Sequence, residues 1–161
     1  MPPSTYHFPQ RLNEADQRLM DAALAQAEKS FAEQGLPIGA VLARGPDILA
    51  AGHNRRVQHG DPIAHGEMDC LRAAGRLRSY RDLTLFTTLS PCMMCAGTIA
   101  QFKIPRVIVG ENRTFPGNED FLRAHGVEVI VVDDARCVSL MRRFQRDYPA
   151  VWAEDIGEEP G

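Results

Sequence analysis

Residues 83–109 read Leu83-Thr84-Leu85-Phe86-Thr87-Thr88-Leu89-Ser90-Pro91-Cys92-Met93-Met94-Cys95-Ala96-Gly97-Thr98-Ile99-Ala100-Gln101-Phe102-Lys103-Ile104-Pro105-Arg106-Val107-Ile108-Val109. Leu83–Thr88 is a short apolar run rich in β-formers, Pro91–Phe102 has helical character, and Arg106–Val109 is a second short β-like run. One helix between two strands is the connection that joins parallel neighbours. The alternation continues downstream with helix Glu119–His125, strand Val127–Val132 and helix Ala135–Asp147. Upstream, Ala15, Leu19, Ala22, Ala23, Ala27 and Phe31 recur at helical spacing between Asn13, a suitable N-cap, and Gly35, a suitable stop. Ile38–Ala43 and Ile48–Gly52 flank Arg44-Gly45-Pro46-Asp47, which reads as a hairpin turn. Arg55–Ala64 reads as polar loop, and helical periodicity resumes from His65 to about Leu77. These elements predict a three-layer α/β/α sandwich around a central, mostly parallel five-stranded sheet, with an antiparallel hairpin at its start.

The chain has 161 residues, 44% hydrophobic and 24% charged, the balance of a globular protein. At that length folding buries roughly 70% of the unfolded surface, enough for one core without disulfides. No repeat or Pro/Gly/Ser linker divides it, so a single domain over 1–161 is expected, with 1–11 loosely ordered. A net charge of −3 argues against partners held through phosphates, so no nucleic acid is expected. The longest apolar stretches, such as Val127–Val132 with Glu128 inside it, are too short to cross a bilayer, so no membrane is expected either. Met-Pro-Pro-Ser-Thr-Tyr-His shows no basic segment followed by an apolar one, which makes a cytoplasmic location the expectation. In such a compartment the four cysteines are core filler, redox groups or metal ligands.

Two motifs fall where the chain enters a helix: His65-Gly66-Glu67 and Pro91-Cys92-Met93-Met94-Cys95. Cysteines three apart at a helix start share a face, and the positive end of the helix favours the thiolate that binds metal. Ser90 reads as the N-cap and Pro91 as the first helical residue. A Cys-x-x-Cys after a strand is also the pattern of thioredoxin-like dithiol proteins. His65 adds an imidazole, and three protein ligands leave the fourth position of tetrahedral zinc open to water. Zinc would bring that water's pKa to about 7. Glu67 stands nearby as a carboxylate that can move its proton. Were His7, His53, His59 or His125 to supply a fourth donor, the site would be closed and structural.

His-x-Glu followed by Pro-Cys-x-x-Cys is a signature of zinc nucleobase deaminases. Beyond it, Leu36-Pro37-Ile38-Gly39, Gly52-His53-Asn54, Thr87-Thr88-Leu89-Ser90, Val109-Gly110-Glu111-Asn112, Val131-Val132-Asp133-Asp134 and Glu154-Asp155-Ile156-Gly157-Glu158 carry a closer likeness. From about Leu12 to Glu159 the chain resembles the fungal-type cytosine deaminases, zinc enzymes of the cytidine deaminase-like fold that convert cytosine to uracil and ammonia. The resemblance implies a cytoplasmic homodimer with one zinc ion (Zn2+) per subunit and a C-terminal helix, residues 150–158, lying over the active site. It implies zinc on His65, Cys92 and Cys95, and Glu67 as proton shuttle. Asn54 would bond the ring carbonyl oxygen, and Asp155, with the carbonyl of Ser90, would accept from the exocyclic amine. Phe115 and Trp152 would sandwich or cover the ring, with Ile156 in the lid. Another amino-heterocycle, isocytosine or guanine, is the alternative substrate. The chain departs from the family at Met68-Asp69-Cys70, Met93 and Ala153. Asp69 falls on the far side of its helix from the substrate, whereas Met93 and Ala153 bear on the fit of the pocket.

Several of these residues also have ordinary readings. Cys70 and Cys137 sit among apolar neighbours and read as core. His53 reads as a satisfied histidine at a strand end, and Asn54 as a loop residue bonding its own backbone. Asp133 and Asp134 read as helix caps. Arg142, Arg143 and Arg146 read as a solvated helix face. On composition alone the tail from Glu154 onward reads as frayed.

Overall fold

Asn13 caps the first helix, its Oδ1 accepting the Asp16 N–H at 2.8 Å, and α1 runs Glu14–Ala32. In this computed structural model, which describes residues 11–159, the chain continues through β1 (Gly39–Arg44) and β2 (Asp47–His53). Next come α2 (Arg56–His59), α3 (Gly66–Ala74), β3 (Thr84–Leu89) and α4 (Met93–Gln101). The last third forms β4 (Arg106–Glu111), α5 (Glu119–Ala124), β5 (Glu128–Val131), α6 (Ala135–Asp147) and α7 (Pro149–Asp155). Apart from Arg11, the segment expected to be loosely ordered lies outside the described residues, as does His7.

The sheet order is β2-β1-β3-β4-β5. β1 pairs antiparallel with both β2 and β3, whereas β3–β4 and β4–β5 are parallel. β2, β3, β4 and β5 therefore point one way, and β1 alone opposes them. Alternation of side chains along the strands divides the core between the two faces. Leu85, Val107 and Val109 pack with Cys70, Leu71, Ala96, Ile99 and Leu122, which belong to α3, α4 and α5. Val41, Phe86 and Ile108 pack against Leu19, Met20 and Ala23 of α1. This is the expected sandwich. Cys70 and Cys137 are buried, as read from their neighbours.

Four local expectations need correction. Residues 55–64 are not wholly loop: Asn54 Oδ1 accepts the Arg56 N–H at 2.9 Å, a turn that starts the short helix α2. Ser90 and Pro91 do not open α4. The Ser90 N–H donates to Glu111 O at 3.0 Å, and Pro91 O accepts the Asn118 N–H at 3.2 Å, so sheet and loop claim both residues. The helix starts two residues later, with Cys92 as its N-cap. Asp134 caps α6, accepting the Arg136 N–H, but Asp133 has a φ of 60° and binds Arg113 through both oxygens at 2.6 and 2.7 Å. The C-terminal segment is helical as α7, through Glu154 and Asp155, rather than frayed there.

Phe86, 0% exposed at the centre of the α1 face, and Ile48, 50% exposed on β2, give a direct test of this core. Urea unfolding should give a loss of about 3–5 kcal/mol for Phe86→Ala and under about 1 kcal/mol for Ile48→Ala.

Candidate metal centre

Two N-cap residues bring the donors together. His65 (φ −67°, ψ 161°) precedes α3, and Cys92 (φ −66°, ψ 173°) precedes α4; Cys95 follows in the first turn of α4. Gly66 lets the start of α3 come this close, because a Cβ there would stand 2.9 Å from the Ile38 carbonyl oxygen. His65 Nδ1 lies 3.4 Å from Cys92 Sγ and 3.7 Å from Cys95 Sγ. All three donor atoms fall within 4.8 Å of one another. His65 Nε2 points the other way and lies 3.3 Å from Asp155 Oδ1.

Among the described residues no fourth His, Cys, Asp or Glu joins the group. His53 faces elsewhere, with Nδ1 3.0 Å from Asn54 O and Nε2 3.3 Å from Glu33. His125 Nδ1 lies 2.8 Å from Phe121 O at the end of α5. Two sulfurs and one imidazole, held by the fold with no fourth protein donor, fit tetrahedral zinc with one open position. The carboxylate beside the second histidine nitrogen is the usual outer partner of a metal-bound imidazole.

A small cavity adjoins the trio. Its wall includes His65, Glu67, Ser90, Cys92, Phe115, Trp152, Asp155 and Ile156 from the sequence-derived set. Ile38 and Leu89 complete it and were not foreseen as site residues. Cys95 and Asn54 are buried and do not line it, though the Asn54 N–H donates at 2.9 Å to the carbonyl of Ile38, which does. Phe115 and Trp152 stand edge to face, 5.8 Å apart at 85°, so they form adjoining walls and not the two faces of a sandwich. Met93, 56% exposed, does not line the cavity itself but lines an adjoining depression with Phe115, Asp155 and Ile156, and Ala153 lines neither. Asp69 does not line the cavity either, as expected.

Two buried polar atoms near the donors, Asn54 Nδ2 and Ser90 Oγ, have no hydrogen-bond partner, and Asp155 Oδ1 has only the His65 imidazole, 3.3 Å away. Such orphans are uncommon in folded proteins; His53 Nε2 (its Glu33 contact apart), Arg56 Nε and Gln58 Oε1 are others among the described residues. Glu67 is 3% exposed, and its Oε1 accepts from Thr87 Oγ1 at 2.9 Å. Thr87 is a site residue that sequence reasoning missed. Its one signal was a hydroxyl in an otherwise apolar strand.

Residues 13–111 match the cytidine and deoxycytidylate deaminase zinc-binding region. The chain belongs to this family. It is 47% identical to the cytosine deaminase of Candida albicans over 146 residues, 89% of this chain and 97% of that protein. A tRNA-specific adenosine deaminase of Streptococcus pyogenes is 35% identical over 79% of this chain and 87% of its own length. Guanine deaminase from Nitrosomonas europaea has the same fold, with a TM-score of 0.68 at 23% identity, covering 84% of this chain and 87% of that one.

The electrostatics suit the zinc site of this deaminase family. The Cys95 thiol, and then the His65 imidazole, hold Cys92 down to about 4 against the opposing effect of burial. Burial opposes charge on His65, but Asp155 and Cys92 outweigh it and raise the imidazole to about 10. The neighbouring Cys92 sulfur and burial keep Cys95 protonated well above the usual thiol range. Burial, reinforced by Cys92, raises Glu67. A cation entering the trio displaces protons from His65 and Cys95, while Cys92 already offers a thiolate.

Metal affinity should accordingly rise with pH. Competition against a zinc chelator between pH 6 and 8 should give tightening of up to about a hundredfold per pH unit, two protons leaving per ion. Elemental analysis should find one zinc per chain, and His65→Ala and Cys92→Ala should each lose it.

Proposed function

We propose that the chain is a zinc-dependent hydrolase that converts a free nucleobase, cytosine, to its oxo product uracil with release of ammonia. The observation that carries this reading is the set of buried polar groups, Asn54, Ser90 and Asp155, that gathers beside the metal donors and the buried Glu67, with Asn54 Nδ2 and Ser90 Oγ unpaired. Cytosine offers a carbonyl oxygen to a donor, Asn54 Nδ2, and an exocyclic amine to an acceptor, Asp155 Oδ1. Its flat ring would lie against the apolar walls formed by Phe115, Trp152, Ile38, Leu89 and Ile156.

Zinc held by His65, Cys92 and Cys95 would supply an activated water for attack on the carbon that bears the amine. Glu67 receives the proton freed as water adds and passes it to the adjacent ring nitrogen. It then takes the proton of the newly added hydroxyl and delivers it to the departing amine as the carbonyl forms and the carbon–nitrogen bond breaks. Its burial, which raises its affinity for the proton, suits a group that must both take and return one. Thr87 fixes the orientation of that carboxyl through its hydroxyl. Asp155 and Ser90 hold the amine end of the ring, and Asn54 the carbonyl end. Water and cytosine enter, uracil and ammonia leave, and Glu67 ends as it began.

The 47% identity to a cytosine deaminase supports the choice of base. The position of α7 supports a free base over one attached to a polynucleotide, because Trp152, Asp155 and Ile156 close the cavity on that side. Within this reading the whole of 1–161 acts as one domain with α7 as its lid. It works as a cytoplasmic homodimer in pyrimidine salvage, with one zinc per subunit and no nucleic-acid or membrane partner. No helix among the described residues is long and apolar enough to cross a membrane.

Ammonia release measured across cytosine, isocytosine, guanine, adenine and cytidine should be fastest with cytosine. A preference for guanine or isocytosine would move the substrate, and no release from any of them would overturn the reading. Glu67→Gln should keep its zinc and lose about 10²–10⁴-fold in turnover. Asp155→Ala should lower kcat/KM with zinc retained, and unchanged kinetics there would remove α7 from the active site.

A further inference from the structure

Asn54 is held at almost every polar atom. Its N–H donates to Ile38 O at 2.9 Å, its carbonyl accepts from Ser30 Oγ at 2.9 Å, and Oδ1 accepts the Arg56 N–H at 2.9 Å. Only Nδ2 is unpaired, so the amide cannot turn over without losing the bond that fixes Oδ1. One carboxylate bonds the residues on both sides of Asn54, in addition to the Arg55 N–H to Ala64 O bond at 2.9 Å and the pairing of His53 with Gly39 in the sheet. Asp69 Oδ2 accepts the His53 N–H at 3.0 Å, and Asp69 Oδ1 accepts from Arg55 Nε at 3.0 Å. Asp69 belongs to α3, the helix that His65 caps and that carries Glu67. Its own N–H bonds His65 O at 2.8 Å. The approach is close enough to require glycine on β2: a Cβ at Gly52 would lie 2.7 Å from Asp69 Oδ2 and 2.5 Å from Cys70 N.

We propose that Asp69 is a positioning residue for recognition of the ring carbonyl, locking the Asn54 amide in register with the helix that bears His65 and Glu67. One carboxylate thus couples the end of β2, where the carbonyl is bound, to α3, where the reaction takes place. The inference rests on Asn54 being the carbonyl donor, and the test separates the two claims.

Calorimetry on the zinc-loaded chain compares uracil with pyrimidin-4-one, the same ring without the second carbonyl oxygen. The unaltered protein should bind uracil about tenfold or more tighter, the worth of one well-placed hydrogen bond. In Asn54→Ala that preference should vanish. In Asp69→Ala it should fall to about twofold or less, with one zinc per chain retained, and the double variant should lose nothing further. Arg55→Met, at a partly exposed side chain, removes one of the two bonds and should cut the preference about threefold. A full preference in Asp69→Ala, beside its loss in Asn54→Ala, would overturn the inference and leave the carbonyl assignment standing. A full preference in Asn54→Ala would overturn that assignment and the inference together. If Asp69→Ala does not fold, an unchanged preference in Arg55→Met overturns the positioning role.

Discussion

Two helices that begin at the same end of one sheet are the constraint on which the site depends. β2 and β3 run in the same direction with β1 between them, so α3 and α4, which follow them, both start beyond strand carboxyl ends. That end of an α/β sheet is where ligands commonly bind. His65 and Cys92 are separated by 27 residues in sequence, yet both are N-cap residues with extended backbone, and their side chains meet within 3.4 Å. The helix N-termini also contribute unpaired N–H groups and positive potential, which suit a thiolate. Were α3 displaced by a few ångströms, imidazole and sulfurs would no longer share an ion.

The rest of the site is built on that frame by later segments of the chain. Glu111, fully buried at the end of β4, accepts the N–H groups of Arg113 and Thr114 at 2.7 and 3.0 Å and so folds back the loop that carries Phe115. Gln145 of α6 donates to Thr114 O at 3.2 Å and ties the same loop to the helix before α7. Trp152 then meets Phe115 edge to face, and Asp155 reaches His65. These walls keep Glu67 from water, and burial is the main reason its proton affinity rises. Metal donors, buried acid and apolar walls therefore act together, although they come from distant parts of the chain.

Most of the architecture was legible in the sequence because periodicity reports burial directly. The alternation from Leu83 to Asp147 specified three strands, three helices and their parallel order. Local rules failed where tertiary bonds outbid them. Ser90-Pro91 has the composition of a helix start, but Glu111 and Asn118 take its polar groups and the helix begins at Cys92. The metal donors were legible from residue type and spacing alone. Asn54, Asp155 and Trp152 are singled out only by resemblance, since as isolated residues they read as loop and tail. Ile38, Leu89 and Thr87 were not legible as site residues, because a strand residue that faces a cavity has the same pattern as one that faces the core. Asp69 stood out as a departure, but its two bonds to either side of Asn54 arise only when α3 packs against β2.

The central claim is that three protein donors leave one coordination position to solvent. X-ray absorption at the zinc edge of the loaded protein counts those donors directly. The account predicts two sulfurs at about 2.3 Å, one imidazole nitrogen at about 2.0 Å and one light-atom ligand that is not imidazole. A shell closed by a third sulfur or a second imidazole would contradict it.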